Sequence, residues 1–182
     1  MCLEKVKKVQ AVFLYFFAYS VIGWLYEVFL EVVVYRWGFS NRGFLFGPYL
    51  PVYGFGALVI IFCLQPLCKK KIRLGKWNIT PVLVFLGVMA LTTLIELLAS
   101  YLLEWKTGGW LWDYTDYAIQ FQGRIALNPS VRFGLGGLFF LYVLQPVLEK
   151  GNEKLSDGVR NFFSVALFAL MLFDFIIQFQ RG

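Results

Sequence analysis

Residues 81–103 read PVLVFLGVMALTTLIELLASYLL and contain a single charged side chain, Glu96. A helix needs about 20 mostly apolar residues to cross the hydrocarbon core of a bilayer. This stretch meets that requirement, and apolar runs of this length are rare among the helices of water-soluble proteins. The sequence therefore predicts a transmembrane helix at this position.

Four other stretches have the same character, so the sequence predicts an all-α, polytopic membrane protein with five transmembrane helices. The whole chain, residues 1–182, would form a single transmembrane domain. The composition agrees, because only 15% of the residues are charged, whereas soluble domains have roughly 25%. The spans are expected at about residues 9–34, 49–68, 81–103, 131–148 and 162–179.

The positions of lysine and arginine predict how the helices are oriented, since the cytoplasmic loops of membrane proteins are enriched in these residues. Most of the 17 basic residues lie before the first span, between the second and third, and between the fourth and fifth. We therefore expect a cytoplasmic N-terminus, a C-terminus outside, and a multi-pass protein of the inner or plasma membrane of the cell. These loops account for the net charge of +6, and no nucleic-acid partner is predicted.

The absence of histidine limits the chemistry that the chain can perform. Histidine is the commonest general base and a principal metal ligand, so many hydrolase and metal-site motifs are excluded. The nucleotide-binding motif GxxxxGK[ST] is absent as well. We therefore expect no metal and no other cofactor, and the sequence gives no clear sign of an enzyme.

Acidic side chains inside the predicted spans are the main candidates for a functional site, because charged groups are costly in a bilayer. Glu27, Glu96 and Asp174 each come late in a span that runs outward, as does Glu31, which could instead reach the interface. Arginines in or near the outer loops lie at a similar depth, so we expect the charges to pair around a cavity that opens outward. The predicted binding residues are Glu27, Asn41, Arg42, Glu96, Asp113, Arg124, Arg132 and Asp174.

Three interpretations of these charges stay open at the level of the sequence. The charges could tie the five helices together, bind a small solute or a lipid headgroup, or relay protons. In the second case, Arg42 and Arg124 would hold anionic groups by paired hydrogen bonds, while the carboxylates orient or neutralise them. Ser130 is a weaker candidate as a nucleophile, since only a carboxylate is available as its base.

Glycine, proline and polar side chains predict the local structure near these charges. Residues 41–50, NRGFLFGPYL, are expected to form an irregular segment beside the polar site, followed by a helix. Asn128 or Ser130 is expected to cap the fourth transmembrane helix. Gly134 and Gly137 would allow that helix to pack closely against a neighbour.

Several short motifs follow one another along the chain in a recognisable order. They are SVIGWLYE at residues 20–27, NRGFLFGP at 41–48, PVYGFG at 51–56, Glu96, WDY at 112–114, and GRI at 123–125. Together they resemble the CmpB-like family of type IV ABC-transporter permeases, which are small bacterial integral membrane proteins. The resemblance extends over nearly the whole chain, and the segment from the Asn-Arg-Gly to the Pro-x-Tyr-Gly-x-Gly is its most specific part.

The resemblance implies transport across the membrane. Because the chain has no nucleotide-binding motif of its own, it would need a separate ATPase subunit. Because five spans are few for a translocation path across the lipid bilayer, it would also need to form a homo-oligomer. The leading hypothesis is a permease-like protein with a polar site in the outer half for a small solute or a lipid headgroup. The alternatives are a lipid-modifying enzyme embedded in the membrane, with Glu27, Glu96 or Asp174 as acid or base, and an accessory or sensor protein.

Overall fold

The computed structural model describes residues 2–41 and 43–181 of the chain. Five of its helices are long and apolar enough to cross a membrane, which confirms the predicted all-α architecture with five spans. Four of them extend further at both ends than predicted, and the second begins later, at Pro51. The direction in which they cross the membrane stays a prediction. The five helices cover Leu3–Tyr35, Pro51–Cys68, Thr80–Thr107, Leu127–Glu153 and Asp157–Arg181.

Two of the connections between the helices contain short antiparallel hairpins. Strand β1 pairs with β2 between the second and third spans, and β3 pairs with β4 between the third and fourth. In chain order the elements are α1 (Cys2–Phe29) continued by a π-helical segment (Leu30–Tyr35), α2 (Pro51–Cys68), β1 (Arg73–Leu74), β2 (Trp77–Asn78), α3 (Thr80–Thr107), β3 (Gln120–Phe121), β4 (Ile125–Ala126), α4 (Leu127–Phe139) continued by a second π-helical segment (Phe140–Leu144), α5 (Gln145–Glu153) and α6 (Asp157–Arg181).

The chain divides into two compact units. The terminal unit consists of Met1–Val59 with Leu148–Gly182, and the central unit is Ile60–Val147. In the terminal unit α1 packs against α6, and the ring centroids of Phe13 and Phe168 lie 5.9 Å apart. The organisation as a single transmembrane domain stays a prediction.

In the central unit, α3 and α4 pack closely because α4 has glycine where α3 has bulky side chains. Val88 of α3 is fully buried, and a Cβ atom on Gly137 would lie 2.5–3.0 Å from three atoms of its side chain. A Cβ on Gly134 would come equally close to Phe85 and Met89. The prediction that these two glycines permit close helix packing is therefore confirmed.

The start of α4 differs from the prediction. The helix begins at Leu127, and its N-cap residue is Ala126, which has extended backbone and makes no capping bond through its side chain. The prediction that Asn128 or Ser130 caps the helix is therefore wrong. The hairpin strand β4 leads directly into the helix, and the Ser130 hydroxyl donates back to the Ala126 carbonyl at 2.9 Å from inside the first turn.

The contact between α3 and α4 predicts that replacing two neighbouring glycines by alanine has different effects on stability. Gly137→Ala should lower the melting temperature of the purified protein, because overpacking a filled interface costs about 1–3 kcal/mol. Gly136→Ala is the matched control, since a Cβ there has no atom within 4 Å, and it should leave the melting temperature unchanged or raise it. Equal melting temperatures for the two variants would contradict the close packing at Gly137.

Candidate functional site

Asp174, on α6, fastens the irregular segment that precedes α2. The residue is only 8% exposed, and its carboxylate accepts three hydrogen bonds from that segment. One oxygen accepts from the backbone N–H of Phe46 at 3.0 Å, and the other accepts from the N–H of Gly47 at 2.9 Å and the hydroxyl of Tyr49 at 2.5 Å. Burial, and then the neighbouring carboxylate, raise the pKa of Tyr49 above its usual range, so the phenol stays protonated as a donor.

Asn41 holds the same segment from its other end. Its amide nitrogen donates to the carbonyl of Phe46 at 2.9 Å, and its side-chain oxygen accepts from the indole N–H of Trp24 at 2.8 Å. Asn41 and Asp174 therefore both bond to the backbone of Phe46, Asn41 to its carbonyl and Asp174 to its N–H. The sequence did not predict this shared contact. Arg42, which was also predicted to belong to the site, lies outside the described residues.

Two glutamates near the end of the first span are held by hydroxyl groups. The hydroxyl of Tyr53, on α2, donates to Glu27, and Gly23 leaves room for the tyrosine ring because a Cβ there would collide with it. Glu31 is 4% exposed, and the hydroxyl of Ser40 lies 2.9 and 3.1 Å from its two oxygens. Glu31 is thus buried in protein, and the interpretation that it extends to the interface is wrong.

In the central unit, Glu96 on α3 is held by a third tyrosine. Its Oε1 accepts from the hydroxyl of Tyr114 at 3.0 Å. Burial, and then the Glu96 charge, raise the pKa of Tyr114 above its usual range, which keeps this hydroxyl protonated. The other oxygen, Oε2, is buried and has no hydrogen-bond partner within residues 2–41 and 43–181. A buried polar atom without a partner is costly, and among the described residues this oxygen shares that state with the Nε of Arg124 and the hydroxyl of Ser164.

Arg124 is enclosed by aromatic rings. Its guanidinium lies 4.2 Å from the ring centroid of Tyr101 and 4.0 Å from that of Trp110. One amino group forms an ion pair of 2.5 Å with Glu104, and the other lies 3.4 Å from the Ser100 hydroxyl. These contacts occupy both faces of the guanidinium and its two amino groups, whereas its Nε is buried and has no hydrogen-bond partner among the described residues.

The remaining two predicted residues lie at the surface of the central unit. Asp113 accepts from the backbone N–H of Thr115 at 3.0 Å, and a Cβ on Gly123 would lie 2.8 Å from its carboxylate, so it shapes the loop that carries Arg124. Arg132 is exposed on α4 and forms no ion pair with any residue of the described chain. The structure therefore places Asp113 against Gly123, the neighbour of Arg124 in the chain, and gives Arg132 no acidic partner among the described residues.

The sequence did not predict the hydroxyl partners of these charges. Acids and arginines were expected to pair with one another, and Arg124 does pair with an acid, Glu104. Three other acids instead accept from tyrosine hydroxyls, which was not expected. Tyr53 and Tyr114 stand in the quoted motifs PVYGFG and WDY, and Tyr49 directly follows the motif NRGFLFGP. No signal in the chain connected them to acids that lie up to 125 positions away. The three pairs are Glu27 with Tyr53, Glu96 with Tyr114, and Asp174 with Tyr49.

Comparison with known proteins identifies the family of this chain. Residues 14–179 match the model of the family described as "Putative ABC-transporter type IV". The chain belongs to this family. The match includes every predicted site residue, so the resemblance that the motifs indicated is confirmed over nearly the whole length. Neither the curated proteins nor the solved structures contain a match to it.

Membership of the family, together with the five long apolar helices, makes the chain a multi-pass membrane protein of a transporter family. The family match says nothing about how the charged residues are arranged, which only their contacts in the structure show. One kind of contact occurs in both units: a carboxylate inside a span accepts from a neutral hydroxyl or amide of a connecting segment or neighbouring helix.

The contacts of Asp174 predict that its loss releases the segment before α2. Asp174→Ala leaves three donors without their acceptor, and unmet buried donors cost about 1–3 kcal/mol each, so the melting temperature should fall sharply. Hydrogen exchange at the amides of Phe46 and Gly47 should become faster in the folded protein. Asp116→Ala, at an exposed side chain of the loop before β3, is the matched control and should change neither observable by much. Unchanged exchange at the two amides would show that Asp174 does not hold the segment.

Proposed function

We propose that this chain is the membrane-spanning component of an ABC transporter and that a separate subunit hydrolyses the ATP. The observation that carries the proposal is the family match over residues 14–179, supported by five helices of membrane-spanning length. Since the sequence has no GxxxxGK[ST] motif, the nucleotide would bind to the other subunit. The component would lie in the cell membrane with its N-terminus in the cytoplasm and its C-terminus outside.

The hairpin β1–β2 is the surface that best fits an ATPase partner. Leu74 and Trp77 face each other across the two strands and are 70% and 80% exposed. Exposed aromatic and aliphatic side chains of this kind are typical anchors of protein interfaces, and a charged rim steers the partner. In the proposed orientation, the hairpin lies in the cytoplasm, where an ATPase binds. The rim consists of the exposed side chains Lys69, Lys70, Lys71, Arg73 and Lys76.

Glu96 is the residue of the site that best fits a transported molecule. Its Oε1 is bonded to Tyr114, whereas its buried Oε2 has no partner among the described residues. A ligand with an N–H or O–H donor would satisfy this oxygen and offset the cost of keeping it inside the membrane. We therefore infer a small solute or a lipid headgroup that carries an ammonium, amide or hydroxyl group. Because Arg124 pairs with Glu104 and lies between two aromatic rings, we assign that arginine to holding the loop.

Purification from native membranes tests the proposal. The tagged chain should bring with it an ATP-hydrolysing subunit in stoichiometric amount. Trp77→Glu should release that subunit, because it replaces the exposed anchor of the hairpin with a charge of the opposite sign to its rim. Trp105→Glu is the matched control, since Trp105 is 86% exposed near the opposite end of α3, and it should leave the ATPase bound. A chain that purifies without any ATPase would contradict the proposed function.

The same preparation separates partner binding from solute binding. Glu96→Gln keeps the size of the side chain but removes its charge, so the ATPase should stay bound while ATP-dependent change in the small-molecule content of membrane vesicles is lost. Mass spectrometry of the vesicle contents, with and without ATP, measures this change. Glu153→Gln, an exposed site at the end of α5, should behave like the wild type. Full ATP-dependent change in the Glu96→Gln vesicles would exclude Glu96 from the solute site.

A further inference from the structure

An open groove runs along the surface of the central unit between α3 and the connection to α4. Its volume is about 620 Å³, within the range of small-molecule sites. The α3 face of the groove extends from Leu86 to Leu97, which is about 16 Å at the rise of an α-helix. The strands β3 and β4 form a second face, and the start of α4 forms the third, with Leu127 and Ser130.

The groove is apolar, and its few polar side chains are already bonded within the protein. The hydroxyls of Thr93 and Ser130 lie 2.7 Å apart, and Ser130 also bonds to a backbone carbonyl. The side-chain oxygen of Gln120 accepts from the N–H of Gly123 at 2.8 Å. Because these polar groups already have hydrogen-bond partners, they do not require a polar ligand. The groove lies along two membrane-spanning helices, so its natural occupant is a hydrocarbon chain.

A second depression adjoins the groove and differs from it in charge. Its volume is about 430 Å³, and it shares Ile119 and Leu127 with the groove. It is lined by Arg132 together with Asn128 and the ring of Tyr117. Within the described chain, Arg132 has no acidic partner, although it lies inside a membrane-spanning helix. An arginine in that position is costly unless it reaches the phosphates of the lipid surface or binds one directly.

We propose that the groove and the depression together form a binding site for one phospholipid of the surrounding leaflet. An acyl chain lies along α3 between Leu86 and Leu97. The phosphate accepts hydrogen bonds from Arg132, with the amide of Asn128 beside it. An anionic lipid fits better than a zwitterionic one, because the ammonium of a zwitterionic headgroup would add a second positive charge near the guanidinium. The site does not depend on the proposed transport function, since none of its residues is used there.

Native mass spectrometry of the purified protein tests this site, with added phosphatidylglycerol as the probe. The wild type should retain one tightly bound phosphatidylglycerol. Arg132→Gln should weaken this binding about fivefold or more, the effect expected of one arginine near an anionic lipid. Ala90→Trp should abolish the binding by filling the groove, since Ala90 is an exposed groove residue and its replacement leaves the core of the unit unchanged.

Two matched variants and two lipids distinguish the outcomes. Lys106→Gln, near the C-terminal end of α3, is the control for Arg132→Gln. Ala166→Trp, at an exposed position of α6, is the control for Ala90→Trp. Both variants should bind phosphatidylglycerol like the wild type. Phosphatidylcholine should bind more weakly than phosphatidylglycerol, and diacylglycerol, which has no phosphate, should bind weakest. Equal binding of diacylglycerol and phosphatidylglycerol would overturn the role of Arg132. Unchanged lipid binding in Ala90→Trp would overturn the proposal. It would also be overturned if Ala90→Trp released a bound protein chain and not a bound lipid.

Discussion

The structure depends on the cost of keeping a carboxylate inside a membrane-spanning helix. A charged group in hydrocarbon is unfavourable by several kcal/mol unless it finds hydrogen-bond donors. In the part of the chain that the structure describes, a neutral phenol donates to each of three such acids and so satisfies one oxygen with an uncharged partner. Two of the tyrosines precede or begin α2, and the third lies in the loop before α4, so each bond ties a connecting segment or a helix start to another helix. The pairs are Glu27–Tyr53, Glu96–Tyr114 and Asp174–Tyr49.

These bonds determine what the two units can offer to a ligand. In the terminal unit, Asp174 uses both of its oxygens to hold the segment before α2, so its role is to fix the backbone. In the central unit, only one oxygen of Glu96 has a partner among the described residues, and the second is where we propose that a ligand donates. Arg124 lies between two aromatic rings and pairs with Glu104, while its Nε has no hydrogen-bond partner among the described residues. Asp174 and Glu96 therefore differ in the number of donors around each carboxylate.

The sequence predicted those features that depend on a residue type or on its immediate neighbours. Five long apolar runs predicted five helices, because a membrane-spanning helix is recognisable from one continuous stretch of apolar residues. Gly134 and Gly137 predicted close packing of α4, since only small residues allow such an approach. The cap of α4 was predicted wrongly because a local rule pointed to Asn128 or Ser130, whereas the hairpin before the helix determines where it begins.

The contacts of the site could not be predicted, because they join residues that are far apart along the chain. Charge alone favoured bonds between acids and arginines, yet a tyrosine hydroxyl can satisfy a buried carboxylate equally well without desolvating a cation. The aromatic enclosure of Arg124 likewise needed three separate segments to meet. Two of the three tyrosines stand in motifs of the sequence, but only the folded chain showed which acid each tyrosine contacts.

A double-mutant cycle on the pair in α1 and α2 tests this account most directly. The free energy of unfolding would be measured for the wild type, Glu27→Gln, Tyr53→Phe and the double variant under conditions of reversible unfolding in lipid. The account predicts a favourable coupling energy of about 0.5–1.5 kcal/mol, the size of hydrogen bonds between membrane helices. Strictly additive effects, with no coupling between the two substitutions, would contradict the claim that tyrosine hydroxyls satisfy the carboxylates of this fold.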